Sequence, residues 1–361
     1  TPATALKTLT SAITKANLET SAEIILTRGG SGYEGGGGAT ACSVPVTIRS
    51  PNGLAILSQG VGGQSFTINE GSGAWSAASH SAVEVYDFAF RDQFGEPMIL
   101  AAAADLAQCQ ATPGTFVVVS GRTVVHLSDS RQPDTLVCTA TSTTGRRLAF
   151  TGANVFLESV AQIGANASNL YVGHAGTTVL AALGCEFHRT RNDSSDNVVF
   201  DVDGSSYLVD CLVTDAGADN IDYRDAAGTH VGHEINVRSH KAGRSPGAAC
   251  NCSTAHDGCK VVRVNGLYRS PRHRAVHDVG AGTETWNLNC DPEAGTETDN
   301  YPPGAWAVGL NDTAAPKMFL DNCRASGNAD HFQVFGANSR IHYVRMTLTG
   351  TLDGEDRMIR L

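Results

Sequence analysis

Charged and aromatic residues are scarce in this chain of 361 residues: Asp, Glu, Lys and Arg make up 17% of it, and Phe, Trp and Tyr 6%. The formal net charge is −10 at pH 7, so we expect no nucleic-acid partner, because such partners need a basic surface. No apolar run reaches the length of about 18 residues that a membrane helix needs, so we expect no membrane span. These absences exclude nucleic acids and the bilayer interior as partners.

A helical period is also missing from most of the chain, whereas turn-forming and β-favouring residues are abundant. Gly occurs 39 times, and Val, Thr, Ser and Ala fill the runs between the glycines. The length would allow two or three domains, but no linker and no change in composition divides the chain. We therefore predict a single all-β domain over residues 1–361.

One phrase recurs clearly over residues 169–348: an apolar run, a turn with Gly, Asn or Asp, a second β-rich run and another polar turn. One repeat cannot bury its apolar face alone, so neighbouring repeats must stack on each other. Small or apolar residues that we expect to point into the shared core recur at Cys185, Cys211, Ile235, Gly266, Cys290, Cys323 and Met346. The pattern predicts a parallel β-solenoid, specifically a right-handed parallel β-helix.

The amino-terminal segment is the exception to the β pattern. Leu6, Leu9, Ile13 and Ala16 form one apolar stripe at helical spacing, which predicts a short helix over residues 3–18. We expect this helix to cap the first coil and keep water from the end of the core.

The ten cysteines do not require disulfides. Cys185, Cys211, Cys290 and Cys323 lie in the predicted inward column, where a free thiol packs as a small apolar group. Cys250, Cys252, His256 and Cys259 could supply a zinc site or a loop disulfide, but their spacing lacks the paired C-x2-C of zinc sites.

Polar residues suited to acid–base chemistry concentrate between Asp219 and Asp278. Aligning NIDYR with TAHDG and AVHDV places Asp222, His256 and His277 in one outward column, with Tyr223, Asp257 and Asp278 next to it. A His beside a carboxylate has a fixed tautomer and a tuned pKa, as general acid–base catalysis needs. The predicted catalytic residues are His256, His277, Asp222, Tyr223, Asp257 and Asp278.

A cationic column is predicted on another face of the solenoid. Aligning CEFHRTR, INVRSHK and GLYRSPR gives His188, Arg238 and Arg269 one outward position. Arg binds carboxylate or sulfate groups through two hydrogen bonds, so this surface suits an acidic polysaccharide. The predicted substrate-binding residues are Arg224, Arg238, His240, Lys241, Arg269 and Arg272.

No cofactor or metal is expected, and calcium is kept only as an alternative. The DVDG stretch at 201–204 resembles part of a calcium loop but lacks the following Glu, so we interpret it as a turn.

The repeats and the capping helix together resemble the pectin-lyase-like right-handed parallel β-helix superfamily over nearly the whole chain. That superfamily includes polysaccharide lyases, polygalacturonase-type hydrolases and phage tailspike depolymerases. The catalytic motifs of these enzymes match poorly: DNID at 219–222 and GHE at 232–234 depart from the NTD, DD, GHG and RIK set of polygalacturonases, and RSPRHR at 269–274 departs from the RxPxxR of pectate lyases. The resemblance therefore implies a fold and a glycan substrate but assigns no catalytic residue.

We expect a secreted, extracellular or virion-associated enzyme that degrades an acidic polysaccharide. In a lyase, His256, His277 or Tyr223 would remove the proton next to the uronate carboxylate, while Arg238, Lys241 or Arg269 would neutralise that carboxylate. In a hydrolase, two of Asp222, Asp257 and Asp278 would act as acid and as base or nucleophile.

We place the lyase slightly ahead of the hydrolase. The alternative to both is a non-catalytic β-helix that binds glycans or serves as a tailspike shaft or adhesin. A homotrimer is a candidate assembly.

Overall fold

The computed structural model describes most of the chain. The described residues are 9–27, 30–34, 42, 44–58, 66–77, 81–141, 148–152, 154–173, 178–224, 228–244, 250–297, 302–309, 315–327, 329–347, 352–353 and 357–361. Neither helix in these ranges has the length and apolar character needed to cross a bilayer.

The described residues form two helices and 36 strands. The first elements of the chain are α1 Leu9–Ala16, β1 Ala22–Ile25, β2 Gly30–Glu34, β3 Val46–Arg49 and β4 Ala55–Ser58. Next come β5 Phe66–Gly71, β6 Ala74–Ala77, β7 Glu84–Arg91, β8 Pro97–Ile99, β9 Ala101–Ala102, α2 Leu106–Ala111, β10 Thr115–Val119, β11 Arg122–His126 and β12 Val137–Ala140. The following coils contain β13 Leu148–Thr151, β14 Val155–Glu158, β15 Val160–Ile163, β16 Leu170–Gly173, β17 Thr178–Leu183, β18 Glu186–His188, β19 Val198–Asp201, β20 Gly204–Val209, β21 Leu212–Thr214, β22 Ile221–Arg224, β23 Val231–Ile235 and β24 Arg238–His240. The last are β25 Asn251–Ala255, β26 Lys260–Val264, β27 Leu267–Arg269, β28 Arg274–Asp278, β29 Glu284–Leu288, β30 Asp291–Pro292, β31 Gly304–Val308, β32 Lys317–Asp321, β33 Asp330–Val334, β34 Arg340–Val344, β35 Leu352–Asp353 and β36 Met358–Arg360.

Three parallel sheets run along the solenoid; the coils from β13 to β30 add one strand to each sheet, and the coils before and after them add strands to two of the sheets. Sheet 1 has 11 strands (β1, β3, β14, β17, β20, β23, β26, β29, β32, β34, β36), sheet 2 has nine (β13, β16, β19, β22, β25, β28, β31, β33, β35) and sheet 3 has eight (β2, β4, β15, β18, β21, β24, β27, β30). Apolar side chains alternate into the space between the sheets, which is the core. The predicted parallel β-solenoid is confirmed, while its right-handed winding stays a prediction.

The turns between sheets 3 and 2 carry a buried column of asparagines. The Asn169 side-chain amide donates to Asn197 Oδ1 at 2.7 Å, and the Asn220 amide donates to the His240 carbonyl at 2.7 Å. These bonds satisfy backbone groups that each turn would otherwise bury without partners. They also fix the level at which each strand of sheet 2 begins.

The inward cysteine column is confirmed with one correction. All ten cysteines are free and buried, so the predicted inward thiols and the absence of disulfides among those four agree with the structure. The prediction that Ile235 belongs to this column is wrong. The Arg238 N–H donates to the Cys211 carbonyl, which places the buried Val237 beside Cys211. Ile235 lies two residues earlier and is half-buried at the end of β23.

Within the described residues the capping helix ends at Ala16, two residues before the predicted end at Leu18, and it packs as expected. We predicted residues 3–18, and the helix spans Leu9–Ala16; residues 3–8 lie outside the described part of the chain. Leu9, Ile13 and Ala16 are buried in the same cluster as Ile48 and Leu57 of the first coils. The helix therefore covers the end of the core with its apolar stripe.

Residues 66–140 depart from the solenoid, which the sequence pattern did not reveal. Their described residues form α2, a three-stranded antiparallel sheet and a five-stranded sheet that is antiparallel except for the parallel pair β9–β10, and we call residues 66–140 the insertion. Strands β3 and β4 pair directly with β14 and β15, so the coils close on each other across this segment. Alternating β patterns look the same in parallel and antiparallel sheets, so the sequence predicted further coils in this segment. The prediction of a single domain over residues 1–361 stays a prediction.

The core is apolar at both ends and polar at one level between them. The two largest buried clusters surround, respectively, Val213 and Trp306. Between them Glu234, Arg263 and Asp278 form ion pairs whose side chains are all 0% exposed.

Candidate active site

The register of sheet 2 decides which predicted residues share a face. Asp222 pairs with Thr254, and Thr254 pairs with His277, so Asp222 and His277 do occupy one outward column. The prediction that His256 lies between them is wrong, because His256 is two residues beyond Thr254. His256 lies opposite Arg224 instead, because the His256 N–H donates to the Tyr223 carbonyl at 2.9 Å. The predicted alignment was offset by two residues, which preserved the faces of the strand but gave His256 the wrong neighbour.

Two predicted catalytic residues face the interior. Tyr223 and Asp278 lie in one column with Ala255, and both are 0% exposed. Asp278 accepts hydrogen bonds from Arg263 at 2.9 and 3.1 Å and from Thr285 at 2.6 Å. Both side chains are therefore enclosed in the core, and neither can reach a substrate on the surface.

Asp257 lies outside the strands, and His277 keeps its outward position but is closed off from solvent. Asp257 lies in the exposed turn after β25, with a φ of 52°. His277 is outward but buried, with Nε2 3.0 Å from the Gly309 carbonyl and Nδ1 3.3 Å from Arg274. Burial, followed by the positive charge of Arg274, lowers the pKa of His277 well below its ordinary value. His277 is thus a neutral group inside a hydrogen-bonded network.

Asp222 and His256 nevertheless meet, because His256 directly follows β25 and its backbone still bonds to the neighbouring strand at Tyr223. His256 Nε2 lies 3.3 Å from Asp222 Oδ1, and their side chains are 33% and 1% exposed. Arg224 contacts both Asp222 and Asp196. Asp219 completes the cluster, and its Oδ1 accepts from the Asn251 backbone N–H at 2.7 Å and from the Asn251 amide at 3.1 Å. We call Asp196, Asp219, Asp222, Arg224 and His256 the Asp222 cluster.

The pKa values in this cluster move in opposite directions for the acids and the base. Burial, followed by the negative charge of Asp196, raises the pKa of Asp219 to about 8. The same two causes raise the pKa of Asp222 well above its ordinary value, against the opposing effect of Arg224. Burial lowers the pKa of His256, against the opposing effect of Asp257. At neutral pH the cluster therefore holds a proton on its carboxyl pair beside a neutral imidazole.

The predicted cationic column lies on the outer face of sheet 3 with a changed register. His188 aligns with Thr214, His240 and Arg269, whereas Arg238 aligns with Leu212 and lies two residues earlier. The shared position of His188, Arg238 and Arg269 is therefore wrong for Arg238, although all three face outward.

Most of the predicted substrate-binding cations already have acidic partners. Lys241 contacts Asp92 and lies 2.6 Å from Glu96, Arg269 bonds to Asp291 at 2.7 Å, and Arg272 approaches Glu297 at 3.9 Å. His240 is 3% exposed beneath the Phe94 ring. Arg238 is exposed, and no carboxylate of the described residues forms an ion pair with it. Arg224 belongs to the Asp222 cluster and not to this face.

Metal binding can be tested on the arrangement of donor atoms. Asp219, Asp222 and His256 each offer one ligand atom, and these atoms lie within 4.8 Å of one another. Among the described residues this is the group that could hold an ion; the candidate set Cys250, Cys252, His256 and Cys259 does not form one. Calcium prefers six to eight oxygen ligands, which this set does not supply. Arg224 already places a positive charge against Asp222.

Asp196 and Asp219 were missed as site residues. Both precede a buried asparagine of the turn column, as Asp196–Asn197 and Asp219–Asn220, so they stack one coil apart. The repeated Asp-Asn pair was the available signal, but it looks like ordinary turn chemistry in the sequence.

No protein-family model and no curated protein sequence matches this chain. Solved structures with similar architecture include tailspike protein 2 from Escherichia coli O157:H7 bacteriophage CAB120 (9% identity, TM-score 0.45, 92% of this chain and 39% of that one). XylC in complex with xylose (9%, 0.43, 94% and 64%) and a glycoside hydrolase (8%, 0.44, 97% and 96%) are also similar. The chain thus spans less than two thirds of the first two proteins. At these identities and TM-scores the likenesses carry no information about the activity of this chain.

Proposed function

We propose that this chain is a polysaccharide-cleaving enzyme whose catalytic centre is the Asp222 cluster. The observation that carries the proposal is the contact of His256 Nε2 with Asp222 Oδ1 at 3.3 Å, between a one-third exposed imidazole and a buried carboxyl group. The two groups have opposite pKa shifts, so each holds the protonation state that its role requires at neutral pH. A positioned acid and base typically contribute about 10²- to 10⁴-fold each to a rate.

β-Elimination on an acidic glycan fits these residues first. Neutral His256 would take the proton next to the uronate carboxylate, the bond from the ring to the glycosidic oxygen would break, and the carboxyl pair would return a proton to that oxygen. Arg224 would neutralise the uronate carboxylate, because a protonated Asp222 leaves its guanidinium with only Asp196 as a charged partner. The products are an unsaturated uronate end and a new reducing end.

Hydrolysis is the second candidate, and the carboxyl pair favours it. Oxygens of Asp219 and Asp222 lie within 4.8 Å of each other, close to the separation of about 5 Å in retaining glycosidases. In this reaction one carboxyl group would protonate the leaving oxygen, and the other would attack the sugar as a carboxylate. A secreted or virion-associated location and a homotrimer remain predictions that accompany either reaction.

A screen of acidic and neutral polysaccharides tests the proposal. We expect the purified chain to release reducing ends together with the ultraviolet absorbance of unsaturated uronates. Reducing ends without absorbance would favour hydrolysis. His256→Ala and Asp222→Asn should each lower the rate by about 10²-fold or more, since each removes one acid–base group.

Glu158→Gln is the matched control for these variants. Glu158 is a half-buried acid on sheet 1, remote in register from the Asp222 cluster, and its replacement should leave the rate unchanged. Glycan binding without cleavage by the wild-type chain would overturn the proposal in favour of a binding β-helix.

A further inference from the structure

The insertion covers the outer face of sheet 3. The Phe88 ring meets the His188 ring edge-on at 5.8 Å, and the Phe94 ring lies 5.1 Å from that of His240. Tyr86 and Phe88 also pack with Ile56 and Ile163 of the solenoid in one buried cluster. The insertion thus rests on the column that we predicted to bind substrate.

Ion pairs fasten the two parts together along this contact. Arg91 and Glu84 of the insertion pair with Glu186 and Arg189 of the solenoid at 2.8 and 2.9 Å. Lys241 of the solenoid lies 2.6 Å from Glu96 of the insertion. These pairs are partly exposed, so each contributes little by itself.

One contact across this interface joins two acids. The Glu96 carboxyl group lies within hydrogen-bonding reach of the Asp215 carboxyl group, and their side chains are 7% and 9% exposed. Glu96 Oε1 has no hydrogen-bond donor among the described residues. Two carboxylates cannot bond to each other without a proton, so one of them must carry it.

The surroundings assign that proton to Glu96. Asp215 already pairs with Arg189 at 2.6 Å and with Arg244 at 3.3 Å, whereas Glu96 Oε1 has no donor among the described residues. Burial, followed by the charge of Asp215, raises the pKa of Glu96 to about 7, against the opposing effect of Lys241.

Two further titratable groups at this contact, Asp92 and His240, do not titrate near neutrality. Asp92 has a lowered pKa and is paired with Lys241. His240 is neutral, because burial and then Arg238 lower its pKa to about 4.

We propose that Glu96 and Asp215 form a pH-sensitive latch that holds the insertion on sheet 3 while Glu96 is protonated. The direction of the pH dependence follows from linkage. Glu96 keeps its proton in the docked state up to a higher pH than in the undocked state, where its pKa has the ordinary value of 4.5. The latch is therefore complete at acidic pH, weakens as the pH rises from about 4.5 to about 7, and contributes nothing above that. This inference does not depend on the proposed catalytic function.

Hydrogen exchange of the full chain tests the latch. The exchange of the backbone amides of β7 and β8 would be measured in the wild type and in Glu96→Gln at pH about 5 and about 8. The two proteins would be compared at the same pH, because the intrinsic rate of amide exchange itself depends on pH. Gln stays neutral and can donate to Asp215 at either pH. We expect equal rates at the lower pH and wild-type exchange about ten-fold or more faster at the higher pH.

Asp134→Asn, which changes an acid that is 50% exposed in the same insertion, is the control and should follow the wild type at both pH values. The proposal would be overturned if the ratio of the exchange rates of the wild type and Glu96→Gln did not change with pH. Asp215→Asn guards against misfolding of the first variant, since it should reduce the pH dependence by eliminating the repelling charge while Glu96 stays buried.

Discussion

His256 and His277 each precede an aspartate in the sequence, yet their surroundings differ. His277 is closed in by Gly309 and Arg274, whereas His256 reaches solvent beside Asp222. The repeated His-Asp pair invited an alignment that the backbone does not adopt. Sequence alone thus identified Asp222 and His256 as catalytic candidates but gave the wrong reason for their proximity.

The protonation states of the Asp222 cluster predict the pH dependence of cleavage. The rate should fall as the pH rises past about 8, because the Asp219–Asp222 pair then loses its acidic proton. It should also fall on the acid side, below the lowered pKa of His256, because the base is then protonated. A pH profile of kcat/KM over both ranges should show an acid limb and an alkaline limb, which are the falls in rate at its two ends.

Asp219→Asn separates the limbs. The charge of Asp219 raises the pKa of Asp222, so its removal should move the alkaline limb to lower pH and leave the acid limb in place. An alkaline limb that stays where it was would show that the carboxyl pair is not the acid.

At the scale of strands, β23, β26 and β28 contribute side chains to a buried polar level that no sequence pattern predicted. Glu234 and Arg263 alternate with apolar neighbours as outward residues would, yet both point inward. A shift of one residue exchanges the two faces of a strand, so a polar residue on an otherwise apolar face misleads any argument from alternation. The coil repeat and the inward cysteines were predictable because they recur, whereas this level occurs once.

Arg263→Met tests how strongly this level depends on charge pairing. The substitution leaves Glu234 and Asp278 buried without their cation, and removing one partner of a buried ion pair costs on the order of 3–5 kcal/mol. Urea unfolding should show that loss. Arg345→Met removes a pair with Asp321 from a side chain that is 67% exposed, so it should be the milder change in the same measurement. Equal losses in the two variants would refute the assignment.

At the scale of the whole molecule, each coil contacts mainly the coils above and below it. Stability in such a chain is a sum of local terms, so a weakness at one end stays near that end. Helix α1 closes the amino-terminal end through Leu9, Ile13 and Ala16.

Ile13→Ala should therefore loosen the first coils more than the rest. Truncating a buried Ile costs about 2–5 kcal/mol, and we expect faster hydrogen exchange in β1 and β3 with little change in β29. Lys15→Ala changes an exposed residue of the same helix and should leave β1 and β3 as they are. Faster exchange spread evenly over all coils would contradict the local picture.

The chain leaves the solenoid after β4 of sheet 3 and resumes it at β13 of sheet 2, and β4 hydrogen-bonds directly to β15 of the next coil. The coils on either side of the insertion therefore stack at the ordinary strand spacing, as they would with a short turn in its place. The insertion covers the outer face of sheet 3, while the Asp222 cluster lies on the neighbouring sheet. In evolutionary terms, the segment that covers sheet 3 can therefore change in sequence while the strands that hold the Asp222 cluster keep their register.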